Sequence, residues 1–162
     1  MPSRSPIRPT DDEARALARA LLSRARSAAL GVIEPATGAP FVTRIALGLT
    51  PDGAPVSLVS DLAQHTAALR ETPACSLLLG EPGLKGDPLT HPRLTLQARA
   101  EFVERGTPGH QTLRSHYLAG HPKAKLYVDF ADFHFLRFAV GAAHLNGGFG
   151  KAYRLTAGDL LE

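Results

Sequence analysis

The sequence predicts a mainly β protein with flanking helices, of the α+β class, in which antiparallel strands form a closed or split barrel. Short apolar segments bounded by glycine and proline, such as residues 41–50 and 54–60, are typical of strands. The turn Pro51-Asp52-Gly53 between these two segments is too short to join parallel strands, which argues against a doubly wound sheet. Segments of helical spacing separate other strands, and helices that cross between hairpins often flank barrels.

The first elements along the chain are an arm and a helix. Prolines interrupt residues 1–9, which we expect to be a flexible N-terminal arm, and residues 10–162 form a single domain. Thr10 and Glu13 match a capping box, which predicts that a helix starts at Thr10. Apolar residues then recur at helical spacing as far as Ala25, so one face of this helix packs on the barrel.

The remaining elements alternate between strands and helices. Strands are predicted at residues 28–34, 41–50, 54–60, 74–80, 93–104 and 152–155, and the segment 134–148 holds one or two more. A helix is predicted at residues 63–72, a mostly helical segment with a break near Gly120 and Pro122 at 107–130, and a closing helical turn at 156–161. Proline and glycine make residues 81–92 a loop.

Length and composition restrict the class of protein. The chain has 162 residues, 44% of them apolar and 20% charged, which is the range of one globular domain. No apolar run could span a bilayer, and the N-terminus resembles neither a secretion signal nor an import peptide, so we expect a cytoplasmic protein with no membrane partner. The net charge of +3 comes from scattered basic residues, which disfavours nucleic-acid binding but allows a small anionic ligand. The single cysteine, Cys75, lies in an apolar strand and is expected to be a small core residue.

Arg44 is an unusual residue for its place in the sequence, because it interrupts the apolar run of residues 41–49. Strand alternation puts it on one face with Val42, Ala46 and Gly48. A buried guanidinium needs an anionic partner, and a phosphate matches its fork geometry. The alternative is an arginine on a solvated barrel face or in a salt bridge.

A second cluster of polar residues lies where a strand meets the helix at 63–72. The amides of a helix N-terminus favour an anion, Ser60 and Thr66 supply hydroxyl donors, and His65 can donate and carry charge. Asp61 is expected to cap the helix. If this strand pairs across the turn at residues 51–53, Arg44 can lie near Ser60, and the two segments form one anion site. The alternative is an ordinary capped helix.

The other histidines do not form a metal site by spacing. His110 and His116 are too far apart around a helix to share a metal, and the remaining histidines are isolated, so we expect surface or core roles and no bound metal. The segment GGFGK at 147–151 lacks the context of a phosphate-binding loop. No Ser–His–Asp order or paired-carboxylate motif identifies a catalytic residue.

A long segment, PFVTRIALGLTPDGAPVSLVSDLAQHTAALRETPACSLLL (40–79), and four motifs occur in one order along the chain: SDLAQHTAAL (60–69), PRLTL (92–96), YVDFADFHFLRF (127–138) and GGFGKAYRLTAGDLL (147–161). Together they resemble the FMN-binding split-barrel proteins related to pyridoxamine 5'-phosphate oxidase, and within that superfamily the haem-utilisation, HugZ-like branch. The likeness that they support covers nearly everything from about residue 21 to the end. The resemblance implies a six-stranded antiparallel split β-barrel. It also implies a homodimer with a small-molecule cofactor site at the interface.

The same resemblance implies cofactor-binding positions. Arg44 matches the arginine with which the oxidase binds the FMN phosphate. His65 and Thr66 stand where the oxidase has an Arg–Lys pair, which weakens the expected phosphate site. The implied FMN-binding residues are Arg44, Ile45, Ala46, Val59, Ser60, His65 and Thr66.

The haem-utilisation branch implies a different ligand for the same fold. Asp129 matches an acidic residue that assists haem binding from the other subunit, but the axial histidine expected beyond the segment 158–162 has no counterpart in this sequence. The arginine-rich substrate segment of the oxidase has no counterpart either, so the chain is not expected to be a true pyridoxamine 5'-phosphate oxidase. The hypotheses are therefore an FMN-binding protein, which could be an FMN-dependent oxidoreductase; a haem-binding or haem-degrading protein; and a non-catalytic binding protein that has lost the cofactor site.

Overall fold

The computed structural model describes residues 5–161, and within that range nine strands form one sheet. The strands are β1 (Ile7–Arg8), β2 (Ser27–Ile33), β3 (Pro40–Ala46), β4 (Gly48–Leu49), β5 (Pro55–Ser60), β6 (Ala74–Leu79), β7 (Arg93–Phe102), β8 (Phe133–Asn146) and β9 (Ala152–Leu155). The helices are α1 (Asp12–Arg24), α2 (Gln64–Glu71), α3 (Pro108–Gly120) and α4 (Ala157–Leu160), and two short 3-10 helices span Pro88–Thr90 and Pro122–Leu126.

A bend in the chain links the two ends of the sheet. β3, β2, β6, β7 and β8 pair in that order, β8 also pairs with β5, and all of these pairs are antiparallel. Only Leu47 separates β3 from β4, and β4 pairs with β5 across the turn at residues 51–53. Continuity of the chain at Leu47, rather than a further ladder, therefore joins the two ends of the sheet.

The class predicted from the sequence is confirmed, but the strand count differs from the expected six. The six expected strands correspond to β2, the bent β3–β4 segment, β5, β6, β7 and β8. β9 is added beside the second half of β8, and β1 pairs with β9 in parallel, so the complete sheet is not purely antiparallel. β1 holds Ile7 and Arg8 beside Ala152 and Tyr153, within the segment expected to be a flexible arm. Residues 1–4 of that arm lie outside the described residues.

Helix α1 begins one residue later than the capping-box prediction places it. Asp11 is the N-cap, and its carboxylate accepts a hydrogen bond from the amide of Ala14 at 2.8 Å. The hydroxyl of Thr10 instead donates to the carbonyl of Arg154 at 2.8 Å, which ties the start of the helix to β9. The prediction that Thr10 caps the helix was therefore wrong, because the carboxylate of the next residue, Asp11, accepts the amide hydrogen bond of the cap.

The core consists of two apolar clusters. The larger fills the barrel and includes Leu30, Leu77, Leu96 and Phe138, all of which are fully buried. Cys75 belongs to it, and burial raises the pKa of its thiol to about 11, which confirms its expected role as a core residue. The second cluster lies under α3 and the second 3-10 helix, where Tyr117 packs edge-on against Phe135.

No helix within residues 5–161 combines the length and the apolar character required to cross a lipid bilayer.

Candidate functional site

The corner between β5 and α2 uses its hydroxyl groups internally. Thr66 is almost fully buried, and its hydroxyl donates to the carbonyl of Ser60 at 2.6 Å, which holds the helix against the strand end. The Ser60 hydroxyl accepts from the amide of Leu62 at 3.1 Å and contacts a carboxylate oxygen of Asp132 at 3.3 Å. Thr66 therefore holds the corner together, and Ser60 keeps partial contact with solvent.

Asp61 does not cap α2, contrary to the sequence prediction. The N-cap residue is Ala63, with no capping side chain. The Asp61 carboxylate instead pairs with the guanidinium of Arg70 at 3.0 Å and with Nε2 of His134 at 2.9 Å. The contact with the His134 ring is the largest cause of the lowered pKa of Asp61, and the contact with the Arg70 guanidinium is the second largest. Two side-chain partners outside the first turn therefore compete with the helix amides for this carboxylate.

The N-terminal turn of α2 is consequently left open to an anion. Its first amides have no capping side chain, and the partial positive charge of the helix end is not offset by an acidic residue in that turn. His65 lies in the same turn with its Nε2 atom buried and without a hydrogen-bond partner. Burial lowers the pKa of His65, so the ring is predominantly neutral at pH 7. This end of the helix is the part of the predicted phosphate site that the geometry leaves available.

Arg44 lies on the outer side of the barrel. β3 is the last strand of its side of the sheet, and Arg44 is exposed there, with no hydrogen bond or ion pair from its guanidinium to any residue between 5 and 161. Its neighbour Ile45 points into the core and is 5% exposed. Val59 is also buried in the core and is 3% exposed. The carbonyl of Ala46 accepts from the hydroxyl of Ser57 at 2.6 Å. Ile45 and Val59 can therefore contact a ligand only through their backbone atoms.

The outer face of the sheet around Arg44 is made largely of small side chains. Ladder register places Ala29, Leu78, Thr95 and His144 in one row with Arg44 across β3, β2, β6, β7 and β8. The next row contains Val42, Gly31, Ser76, Gln97 and Ala142. We call the surface formed by these two rows the outer face.

The outer face and its margin expose several large apolar side chains. Val42 is 67% exposed and Leu78 is 45% exposed, and Ile33 at the end of β2 is 38% exposed. A shallow depression borders Ile33, with Gly31, Ser76 and Gln97 also in its lining. Exposed apolar side chains over a floor of small residues are the features of a surface that binds a flat ligand or another protein.

His144 lies on the outer face at the side opposite Arg44. It is half-buried, and its Nε2 atom lies 3.2 Å from the side-chain oxygen of Gln97. Arg154 of β9 lies directly across from His144 in the ladder, and Arg93 lies across from Asn146, two residues further along β8. By its spacing in the sequence, His144 is an isolated histidine. The alternation of buried and exposed residues in β7 and β8 is the signal that could have placed it beside Gln97.

Asp129 lies apart from the outer face, in the turn after the second 3-10 helix. Its two carboxylate oxygens accept from Nε and Nη2 of Arg114 at 2.8 and 2.6 Å, and this guanidinium lowers the pKa of Asp129. His110 lies in the same region with Nδ1 buried and unpartnered, edge-on to Phe135. The role of Asp129 at a haem site stays a prediction, since within one chain its carboxylate is already paired.

A separate cavity of about 280 Å³ lies where β8 changes partners. β5 pairs with β8 as far as Arg137, and β9 pairs with it from Ala143, so residues 138–142 have a partner strand only on the β7 side. An ion pair between Arg137 and Asp52, at 2.9 Å, borders the cavity. None of the residues predicted to bind a cofactor lines it.

Comparisons with known proteins relate the whole domain to one family and to proteins named for haem. The family model described as "CREG, beta-barrel" matches residues 9–160. The Arabidopsis thaliana protein "Non-canonical heme oxygenase HOZ, chloroplastic" is 34% identical over 116 residues, which are 72% of this chain and 34% of that protein. The chain thus spans about a third of the length of this curated relative.

Solved structures agree with the family in fold. A heme binding protein from Mycobacterium smegmatis superposes with a TM-score of 0.82 and 29% identity, over 95% of this chain and 61% of that one. A Clostridium acetobutylicum protein of the pyridoxinephosphate oxidase family, related to general stress protein 26, superposes with a TM-score of 0.70 over 93% of this chain and 99% of that one. At 14% identity this second likeness shows the fold alone. The resemblance to split-barrel and haem-utilisation proteins is confirmed.

Proposed function

This chain belongs to the CREG β-barrel family, and we propose that it is a haem-binding protein whose ligand lies on the outer face. Relatives at 34% and 29% identity that are named for haem support this choice of ligand. The observation that carries the proposal is the composition of the outer face itself. Its floor of small residues suits a flat macrocycle, and the basic residues at its margins suit the two carboxylates that haem carries.

The residues present fit haem in their donor chemistry. His144 offers an imidazole on this face, and Arg154 and Arg93 offer cations beside it. Haem, when bound, would supply iron redox chemistry, while the chain's own residues bind it, orient it and limit the access of water. We propose binding as the function, with no catalytic side chain assigned.

We propose that two copies of the chain associate through the outer face. Val42, Leu78 and Ile33 expose apolar area that a soluble monomer would leave in contact with water. A two-fold arrangement would cover both copies of the face at once and enclose a flat ligand between them.

Haemin titration of the purified protein tests the proposed function. We expect a sharp Soret band that saturates at a fixed ratio of haemin to chain. Ala142→Glu adds bulk and negative charge to the outer face and should weaken haemin binding at least tenfold, whereas Ala119→Glu, on the exposed side of α3, should leave it unchanged. A Soret band that grows without saturation, or equal haemin affinities in both variants, would contradict the proposal that haem binds to this face.

A flavin phosphate is the second candidate ligand, favoured by the open N-terminus of α2. That helix end lacks a capping side chain, His65 Nε2 lacks a partner, and Arg44 has no ion pair among residues 5–161. FMN would be held by these groups, with Ile45, Ala46, Val59 and Ser60 contributing mainly backbone atoms. Titration with FMN, followed by quenching of flavin fluorescence, tests this candidate.

A further inference from the structure

We propose that the cavity where β8 changes partners is a binding site for a small amphipathic cation, a molecule with an apolar ring and an ammonium group. The cavity has a volume of about 280 Å³, and none of the residues predicted to bind a cofactor lines it. An apolar cavity of about 150 Å³ can hold benzene, so this larger one has room for a ring with a short arm. The site is independent of the proposed haem site.

The floor of the cavity is apolar. Leu22 of α1, Phe138 of β8 and Leu160 of α4 line it, and all three belong to the larger core cluster. Val140 adds a partly buried side chain from the same strand as Phe138. Three elements thus present hydrocarbon to one space, which favours the apolar group of a ligand over water.

β8 contributes a backbone acceptor to the wall of the cavity. The amide of Val103 donates to the carbonyl of Phe135 at 3.0 Å, so residue 135 directs its carbonyl towards the β7 side. Because this direction alternates along a strand, the carbonyl of Phe138 faces the other way, into the gap between β5 and β9. One step beyond the ladder of β5 with β8, the residue opposite Phe138 is Pro55, which has no N–H to donate. The carbonyl of Phe138 is therefore available to a ligand that donates a hydrogen bond.

The three charged side chains that line the cavity leave one carboxylate without a partner. Nη1 and Nη2 of Arg137 donate to the two carboxylate oxygens of Asp52 at 3.2 and 2.9 Å, so this guanidinium is engaged. Glu101 lies opposite Arg137 in the ladder of β7 with β8, but its carboxylate makes no hydrogen bond or ion pair among residues 5–161. The pKa of Arg137 is raised chiefly by Asp52 and to a smaller extent by Glu101, so the charge of Glu101 does act at this rim. Two carboxylates and one guanidinium give the rim an excess of negative charge, which attracts a cation and repels an anion.

An ammonium group suits both free acceptors at once. It carries three N–H donors and a positive charge. Glu101 pairs with Arg137, and Phe138 is the next residue of β8, so the free carboxylate and the free carbonyl lie at adjacent ladder positions. A primary amine with one ring can place the ring on the apolar floor while its ammonium group meets these two oxygens.

The test uses three molecules of similar shape and different charge: phenethylammonium, phenethyl alcohol and hydrocinnamate. Each is titrated into the full chain at neutral pH, up to millimolar concentration, and binding is followed by the chemical shifts of the protein in NMR spectra. We expect phenethylammonium to bind, the alcohol to bind about tenfold more weakly because its hydrogen bonds lack the assistance of charge, and hydrocinnamate not to bind. Equal or tighter binding of hydrocinnamate would make Arg137 the anchor and overturn the proposal, and so would the absence of binding by all three.

Matched variants locate the binding within the cavity. Ala157→Leu fills space in the cavity and should abolish the binding of phenethylammonium, whereas Ala119→Leu, on the exposed side of α3, should leave it unchanged. Glu101→Gln should weaken this binding about two- to fivefold, the size expected for an exposed ion pair, and exposed Glu104→Gln should not weaken it. Far-ultraviolet circular dichroism checks the folding of each variant, and Ala139→Leu, at the exposed rim, replaces Ala157→Leu if that variant does not fold. Binding that survives the filling variant, or that is equal in the two glutamate variants, would place the molecule elsewhere and refute the proposal.

Discussion

Gly80 provides a quantitative test of how tightly the loop between β6 and β7 is fixed. Its φ is +96°, and a Cβ built there would lie 2.6 Å from the carbonyl oxygen of Pro92 and 3.0 Å from Cα of Arg93. An L side chain at positive φ costs about 1–2 kcal/mol, and displacing a packed neighbour costs about 1–3 kcal/mol more. The atoms in the way belong to the backbone, so they cannot avoid the new methyl group by a change of rotamer. Gly80→Ala should therefore lower the free energy of unfolding by about 2–5 kcal/mol.

Gly38→Ala is the matched control. Gly38 also has a positive φ, +70°, but nothing lies within 4 Å of the position that its Cβ would take. Gly38→Ala should lower the free energy of unfolding only by the cost of an L side chain at positive φ, about 1–2 kcal/mol. Urea unfolding followed by far-ultraviolet circular dichroism measures both, and the slope with urea should not change. Equal losses in the two variants would mean that the loop beside Arg93 moves freely, and the reasoning from close approach would be refuted.

Three further predictions follow from charges and exposure. Acid should lower the free energy of unfolding through Asp52, whose pKa is lowered to about 2, mainly by the Arg137 guanidinium and then by Thr50. The contribution of Asp52 to the free energy of unfolding is complete above about pH 4 and is lost as the pH falls towards 2. Asp52→Asn should therefore flatten a plot of the free energy of unfolding against pH in that window. Arg44→Ala should weaken FMN binding by about 2–4 kcal/mol if Arg44 holds the phosphate, with exposed Arg24→Ala as the control, and unchanged affinity in fluorescence titration would reject that role. Leu78→Asp should convert a dimer to a monomer in light scattering while Leu126→Asp does not, and a wild-type monomer at micromolar concentration would exclude the dimer.

Local patterns in the sequence were sufficient for most elements of the fold. The turn at residues 51–53 joins antiparallel β4 and β5 as expected, and the break at Gly120 and Pro122 does separate α3 from a 3-10 helix. β1 could not be predicted, because two residues carry no periodicity and its pairing with β9 depends on contacts about 145 residues away in sequence, such as Ile7 with Ala152. The division between β3 and β4 was also hidden, since a bend at Leu47 leaves the alternation of apolar residues intact.

The candidate site was predicted less completely than the fold, for a physical reason that Asp61 and Thr66 share. Residue type shows that a side chain can cap a helix or bind a phosphate, but it does not show which competing partner wins. The Asp61 carboxylate pairs with His134, which lies on β8, 73 positions further along the chain. Thr66 is taken by the Ser60 carbonyl, six positions earlier. Register between distant strands is likewise what brings Gln97 to His144, and a single sequence does not contain that register explicitly.

The two proposed ligands make separable demands on the same chain. Arg44 and His144 lie in one row of the outer face, with β2, β6 and β7 between their strands. Four strand spacings of about 4.8 Å put them about 19 Å apart along a flat sheet, and a curved one brings them closer. A phosphate held by Arg44 would therefore leave His144 free, and a haem held beside His144 would leave Arg44 free. Arg44→Ala should thus affect only FMN binding, and His144→Ala only haemin binding. If both substitutions weakened the same ligand, that ligand would have to span the face from β3 to β8, and the division into two anchoring points would be wrong.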